Sequence, residues 1–221
     1  MIKFYAMLTR RADLTHERFS EHWRTVHREL AVKIRRTRRY AQSHGIEERL
    51  AGLRSAAWDG VAEVWLDDLA AASRSDPDLE RYAKPDEPNF LAPDGIPQIC
   101  AEHRVVVPPP EDGVKALVFG DRRDPSTDLE RWWEAAASIG DLCDDPAGLA
   151  AAVALPEAGP APHDAVLELW WRDLPALRTD WERNGAAILD RLGDLVDVDR
   201  AVGWVGEELR VTWPGPLPGT S

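Results

Sequence analysis

The chain states one pattern twice, and no other feature constrains its fold as much. "KFYAMLTRRADLTHERF" (3–19) returns as "KALVFGDRRDPSTDLERW" (115–132): a short apolar strand, an Arg-Arg pair, a Thr-containing cap, then Glu-Arg-aromatic. "DGVAEVWLDDL" (59–69) returns as "DAVLELWWRDL" (164–174), with Glu, Trp and the closing Asp-Leu in register. "EHRVV" (102–106) has a weaker partner in "ELRVT" (208–212). Three echoes in one order mark an internal duplication. "VPPPEDG" (107–113) stands between the copies as a stiff joint, because proline fixes φ and favours extended chain.

Each half reads as strand, helix, strand, strand, helix, strand. In the first, "IKFYAML" is β-like, and "LTHERFSEHWRTVHRELAVKI" follows as a helix with Thr15 as its N-cap. "RYAQSHGI" and "GVAEVWL" are two strands, "LAAASRSDPDLERYA" a helical region broken near Pro77, and "ICAEHRVVV" the closing strand. Two interleaved βαβ units in one antiparallel sheet make a ferredoxin-like βαββαβ repeat. Such a repeat leaves one sheet face to be buried, and the second copy offers the partner. The expected fold is therefore α+β: two ferredoxin-like repeats docked as an intramolecular dimeric α/β barrel with antiparallel sheets. The expected domains are 1–107, carrying the active site, a Pro-rich linker at 108–113, a degenerate repeat at 114–213 and a tail at 214–221.

With 221 residues, 44% of them hydrophobic and ten Trp, the chain has material for a substantial core. Its formal charge of −12 argues against nucleic acid, whose phosphates need a basic footprint. A local basic run (Arg24, Arg28, Lys33, Arg35, Arg36, Arg38, Arg39) is open to two readings, a solvated helix face or a rim attracting an anionic substrate. Cys100 and Cys143 have neither metal nor redox spacing. A signal peptide is not expected, since "MIKFYAML" runs straight into charged sequence, and no apolar run reaches the ~20 residues of a membrane span. A cytoplasmic protein with no membrane partner is expected, a pseudo-dimer in one chain with room for further homodimerisation.

Phe19, Trp23, Val26, Leu30 and Ile34 form the apolar stripe of the first helix, and His27 flanks it. The duplicate serves as an internal control. Aligning "ERF" with "ERW" sets Ala136 opposite Trp23 and Gly140 opposite His27, and "GLAAAVALPEAG" (148–159) replaces "RYAQSHG" without Tyr or His. The chemically capable groups thus occur in the first half alone. Period two puts Tyr40, Gln42 and His44 on one strand face, and Val61, Glu63 and Trp65 on one face of the next strand. Glu63 and Glu168, present in both copies, suit an inter-repeat ion pair, and Trp65 and Trp170 suit paired interface aromatics. His44 and His27 fall on opposite sides of the sheet in this reading. Asp86, Glu87 and Phe90 occupy a proline-flanked loop suited to covering a pocket. A metal site is not expected: His22 and His27, five apart, lie about 140° apart around a regular helix. No Gly-rich phosphate loop follows a strand, so no nucleotide cofactor is expected either.

The first half resembles the EthD family of dimeric α/β-barrel proteins. The resemblance rests on Phe19, "HW" at 22–23, "VH" at 26–27, "RRYAQSH" at 38–44, "WDGVAEVWL" at 58–66, "DEPNF" at 86–90 and "EH" at 102–103, spanning about residues 2–107. It implies the barrel fold but no single reaction, since this and neighbouring families include cofactor-free cyclases, dehydratases, decarboxylases, oxygenases and haem-handling proteins. The leading expectation is a cofactor-independent enzyme acting on a hydrophobic, aromatic or polyketide-like small molecule by cyclisation, dehydration or decarboxylation. His27 would be the base or acid, His44 the second proton-transfer group and Tyr40 a donor to a substrate carbonyl. Trp23, Trp65, Phe90 and Asp86 would bind substrate. The alternatives are a cofactor-free monooxygenase on a phenol, and a non-catalytic accessory protein binding a small molecule or haem.

Overall fold

In chain order the first half runs β1 (Ile2–Leu8), α1 (His16–His22), a π-helical turn (Trp23–His27), α2 (Arg28–Ala31), β2 (Arg39–Gly45), β3 (Arg54–Ser55), β4 (Gly60–Leu66), α3 (Leu69–Ser73), a second π turn (Leu79–Ala83) and β5 (Gln98–Val107). The second half runs β6 (Val114–Gly120), α4 (Glu130–Ile139), β7 (Gly148–Ala154), β8 (Ala165–Trp171), α5 (Leu174–Gly193) and β9 (Val202–Thr212). The computed structural model of the chain describes residues 1–124, 126–128, 130–143 and 147–213. The expected tail, 214–221, lies outside the described residues.

The strands pair in the order β2-β4-β1-β5-β7-β8-β6-β9, and β9 pairs back onto β2. Eight antiparallel strands thereby close into a barrel, and β3 pairs in parallel with β9. Each half contributes its four long strands in the same order: second, third, first, fourth. The last strand of each half pairs with the second strand of the other, β5 with β7 and β9 with β2. Closure therefore needs both copies, and it removes the open edges that a lone half would expose.

The echoed residues have identifiable work. Thr15 caps α1 as expected, its side chain accepting from the Arg18 N–H. Asp68 and Asp173, the Asp of each closing Asp-Leu, cap α3 and α5 by accepting from the N–H of Ala71 and Ala176. Asp59 and Asp164 each accept, at 2.8 Å, from the backbone N–H of an arginine just past the first strand of their half, Arg10 and Arg122. The third echo shifts by one. Ile2 faces Glu102 and Val114 faces Glu207, so His103, not Glu102, is the counterpart of Glu208.

Inside the barrel, Lys3 lies 2.6 Å from Glu63 and 2.7 Å from Glu168. Lys115 pairs with the same two carboxylates and with Glu208 at 3.0 Å. Tyr5 Oη donates to Glu168 at 2.5 Å, Ser43 Oγ donates to Glu63 at 2.6 Å, and His103 Nε2 lies 3.0 Å from Glu168. The two lysines, Glu63 and Glu168 have no exposed surface. Trp65 and Trp170 cover the ammonium groups of Lys3 and Lys115 at 4.3 and 4.5 Å from their ring centres. Burial alone would raise the Glu168 carboxyl, but Lys115 and Lys3 outweigh it and hold it well below the usual range. Around this cluster pack Met7, Val61, Ile99, Leu117, Phe119 and Trp204.

The outer face of each half-barrel meets its own helices. In the second half Val118, Leu167 and Leu169 pack solidly on Trp132 and Ile139 of α4 and Trp181 and Ile188 of α5. Three of the seven cations of the basic run are engaged in ion pairs: Arg35, Arg36 and Arg38 bind Asp78, Asp76 and Asp67 at 2.5–2.9 Å. Among the described residues no helix is long and apolar enough to cross a membrane.

Glu168→Gln keeps the side-chain shape but leaves Lys3 and Lys115 facing one carboxylate fewer. The expected loss is about 3–5 kcal/mol, as for other broken buried pairs, read from the midpoint of urea unfolding. A loss under about 1 kcal/mol would show that water entry or deprotonation of a lysine compensates for the missing charge.

Candidate active site

A cavity of about 220 Å³ lies between the outer face of β1 and β4 and the first-half helices. The strands supply small or apolar floor residues, Phe4, Ala6, Leu8, Ala62 and Val64, while Trp23, Ala31 and Phe90 close over them. The pairing registers explain why the second half has no counterpart. Ala6 and Ala62 face each other as Val118 and Leu167 do, and Phe4 with Val64 corresponds to Ala116 with Leu169. At Ala6, Ala62 and Val64 the second half has the larger Val118, Leu167 and Leu169, while Phe4 is replaced by the smaller Ala116.

Trp23 is seated by a glycine. A Cβ at Gly60 would lie 2.4 Å from its ring, and the corresponding strand position of the second half is Ala165, beneath the helix that carries Ala136. The loss of Cβ in one copy thus accompanies the gain of an indole. This indole forms a wall, with the cavity on one side and the His44 ring 4.5 Å away on the other.

The π turn at Trp23–His27 changes the helix phase. Residues five apart are about 140° apart on an α-helix, but a wider turn brings them close to one face. His22 and His27 therefore both reach Asp86: His22 Nε2 lies 3.1 Å from each carboxylate oxygen, and His27 Nδ1 lies 3.0 Å from Oδ2. Asn89 Nδ2 donates to the same carboxylate at 2.9 Å. Burial opposes ionisation of Asp86, yet the hydrogen bonds from Asn89, His22 and His27 outweigh it and keep its pKa low. Phe90 packs on both imidazoles, with ring centres 5.1 Å from His22 and 4.8 Å from His27. The loop from 84 to 95 is tied down by backbone bonds from Arg11 to Phe90 and from Ala92 to Thr9.

Because Asp86 is an ionised acceptor, the proton of His27 sits on Nδ1, leaving the Nε2 lone pair free. His27 lines the cavity, and Nε2 has no hydrogen-bond partner among the described residues. Burial lowers the His27 pKa below 6.5, and Asp86 only partly offsets this. Tyr40 lines the same cavity, and burial raises its hydroxyl to about 12, so it stays protonated.

The other expected site residues divide. Trp23, Tyr40, Phe90 and His27 share the cavity, and Asp86 stands behind His27 rather than in it. Trp65 does not line the cavity: it alternates with Val64 and Leu66 and points into the barrel over Lys3. His44 is on the helix side of the sheet with His27, correcting the opposite-face expectation, since Tyr40, Gln42 and His44 pair with Val64, Ala62 and Gly60. It lies beyond Trp23, however, and opens on a separate groove of about 980 Å³ lined also by Arg10, His16, Ser20, Arg24 and Asp59. His22 and Gln42 were not singled out for the site by sequence. The signal for Gln42 was present, a polar residue mid-strand beside Tyr40, whereas His22 depends on the π turn.

Burial lowers the His44 pKa to about 3, with Arg24 and His16 adding to the shift. Its folded value lies below its unfolded value near 6.5, so the unfolded chain binds the extra proton in that window. Stability is unaffected above pH 6.5 and falls as pH drops toward 3, with a limiting slope of about 1.4 kcal/mol per pH unit from this group. In His44→Gln, equilibrium unfolding between pH 6.5 and 4 should lose close to one proton from its pH dependence. An unchanged acid slope would assign that proton uptake elsewhere.

The EthD domain profile matches residues 11–94. Three solved structures resemble the chain over nearly its whole length. A candidate monooxygenase from Lactobacillus acidophilus NCFM is 11% identical, with 98% of this chain and 97% of that chain covered and a TM-score of 0.55. An anthrone oxidase-like protein is 9% identical, with coverages of 98% and 96% and a TM-score of 0.60. A chlorite dismutase from Candidatus Nitrospira defluvii is 11% identical, with coverages of 95% and 92% and a TM-score of 0.51. At such identities the likeness concerns the fold. No curated protein matches the chain at a significant level. The stretch that matches the EthD domain, residues 11–94, carries Trp23, His27, Tyr40 and Asp86.

Proposed function

We propose that the chain is a cofactor-independent enzyme that uses His27 Nε2 as a base on a hydrophobic small molecule held in the first-half cavity. One observation carries this reading: an imidazole with Nδ1 held by a carboxylate and Nε2 without a hydrogen-bond partner among the described residues lines a mostly apolar cavity that Tyr40 also lines. A carboxylate behind a histidine fixes tautomer and orientation and stabilises the imidazolium that forms. Removal of a proton next to a carbonyl would give an enolate whose oxygen Tyr40 can hold, the common first step of cyclisation, dehydration and decarboxylation. The same reading takes 1–107 and 114–213 as two ferredoxin-like repeats joined by 108–113, supported by their identical strand orders.

The cavity limits the substrate. A dry cavity of about 150 Å³ accepts benzene, so about 220 Å³ suits the reacting one or two rings of a larger molecule. A haem macrocycle is out of proportion to a space of about 220 Å³, so the cavity does not fit a haem site here. Cofactor-free oxygenation is the second reading. The names monooxygenase and anthrone oxidase-like among the fold neighbours favour it, and the same base would generate an oxidisable phenolate.

The test is enolisation of α-tetralone, a two-ring ketone, followed by NMR as α-deuterium exchange in D2O. Exchange should exceed the buffer rate with the intact protein and fall about 100-fold or more toward that rate in His27→Ala, with the melting temperature within a few degrees. Because the His27 pKa lies below 6.5, the rate should hold at pH 6.5 and decline only at more acid pH. Ala62→Leu, which installs the residue of the equivalent position Leu167, should abolish exchange without loss of stability. Exchange that survives either substitution would remove the reading. Oxygen uptake with 1-naphthol, absent in His27→Ala, would select oxygenation.

A further inference from the structure

The polar strand face behind Tyr40 has a direction, set by one backbone carbonyl. Gln42 Nε2 lies 2.8 Å from the carbonyl oxygen of Trp23, which can only accept. This fixes the amide: its nitrogen faces Trp23 and its second N–H reaches Tyr40 Oη at 3.0 Å. Gln42 Oε1 then faces His44 Nε2 at 3.3 Å, so that ring nitrogen carries the proton. Nδ1 of His44 is left as an acceptor, and Ser20 Oγ donates to it at 2.8 Å. Trp23 Nε1, a donor only, reaches Tyr40 Oη at 3.1 Å. The Tyr40 oxygen thus accepts from two N–H groups, its lone pairs are both engaged, and its own proton is left for the cavity that it lines.

We propose that Gln42 and His44 are positioning residues that fix Tyr40 as a one-way hydrogen-bond donor, so that the cavity selects ligands presenting an unprotonated oxygen, a ketone, enolate or phenolate, at that point. His44 acts through Gln42, by holding Oε1, rather than on the ligand. The duplicate shows the chain's parts to be separable from the fold, since Leu149, Ala151 and Val153 stand in the second half where Tyr40, Gln42 and His44 stand in the first. The ligand class follows from the donors alone: an oxygen that must itself donate finds no acceptor on Tyr40, whereas a carbonyl or oxyanion finds a proton held in place. The proposal rests on the cavity being the substrate site, but it concerns binding and needs no turnover.

The experiment has two arms. Long-range 1H–15N NMR of the intact protein reads the imidazole tautomers directly: His44 should be the Nε2–H form and His27 the Nδ1–H form. An Nδ1–H form of His44 would mean a reversed amide and would overturn the proposal. The second arm compares affinity for α-tetralone with that for tetralin, the same skeleton without the oxygen. The intact protein should favour the ketone by up to about tenfold, the value of one well-made hydrogen bond. The preference should vanish in Tyr40→Phe and shrink in Gln42→Met, while tetralin affinity stays within about twofold. A ketone preference undiminished in either variant overturns the proposal, and if Gln42→Met does not fold, Tyr40→Phe and the tautomers still decide. Ketone selectivity without His27-dependent exchange would remove the catalytic reading and leave this one standing. Failure to bind either probe would remove both.

Discussion

Two lysines and two glutamates with no exposed surface hold this barrel shut. Lys3 and Glu63 come from one copy, Lys115 and Glu168 from the other, and each ammonium lies between both carboxylates. Desolvating four charges is costly, and the cost is offset only when all four meet with the Tyr5 and Ser43 hydroxyls completing the carboxylates' bonding. A half-barrel alone would bury a lysine and a glutamate beside open strand edges. The cluster therefore favours one docking of the copies and disfavours slipped registers, which would leave a charge unpaired. Trp65 and Trp170 belong to this function, covering the ammonium groups, and this is why neither is available to a ligand on the helix side.

The closed interior leaves the outer faces free to differ. Every strand alternates, so residues facing the charge cluster and residues facing helices change independently. Position by position, the second half places Val, Leu and Leu where the first has Ala6, Ala62 and Tyr40, and its helices pack directly on that surface. The first half keeps the alanines, and the exchange of Gly60 and Trp23 for Ala165 and Ala136 moves bulk from strand to helix. A cavity is the result. Unfilled apolar surface is destabilising, because its lining forgoes the packing contacts that the second half makes. The solidly packed second half and the shared interior carry that load. A single copy would have to hold the same cavity with half the support.

Much of the fold was legible because its signals are local or repeated. Alternation gave the strands, Thr15 the helix start, and the duplication gave both the barrel and the pairing of Glu63 with a group across the repeat. The third echo was misaligned by one residue because Glu207 and Glu208 are adjacent and Glu-x-Arg matches only at the wrong offset, so the ladder alone identifies His103 rather than Glu102 as the counterpart of Glu208. The helix was read as continuous from 14 to 34, and its π turn left no mark in composition. The Asp86 carboxylate that His22 and His27 share across that turn lies 59 residues beyond His27, so no window on the helix contains it. The rejection of His22 and His27 as neighbours followed from regular geometry and failed with it.

The same distinction separates the two halves of the site. His27 was legible as an imidazole absent from the duplicate, but its role depends on which nitrogen is free, and that is decided by a carboxylate in a distant loop. His44 looked equivalent by the same test. Yet it sits behind Trp23, engaged at both nitrogens by Ser20 and Gln42, and has neither a free lone pair nor access to the cavity. Two histidines that a sequence comparison treats alike are therefore opposite in chemistry: one presents an acceptor to the cavity, the other terminates a chain that presents a donor through Tyr40. An enolising site needs both polarities a few ångströms apart in an apolar space. Here each polarity is fixed from behind by a group that cannot itself change sides, a carboxylate for His27 and a backbone carbonyl for Gln42.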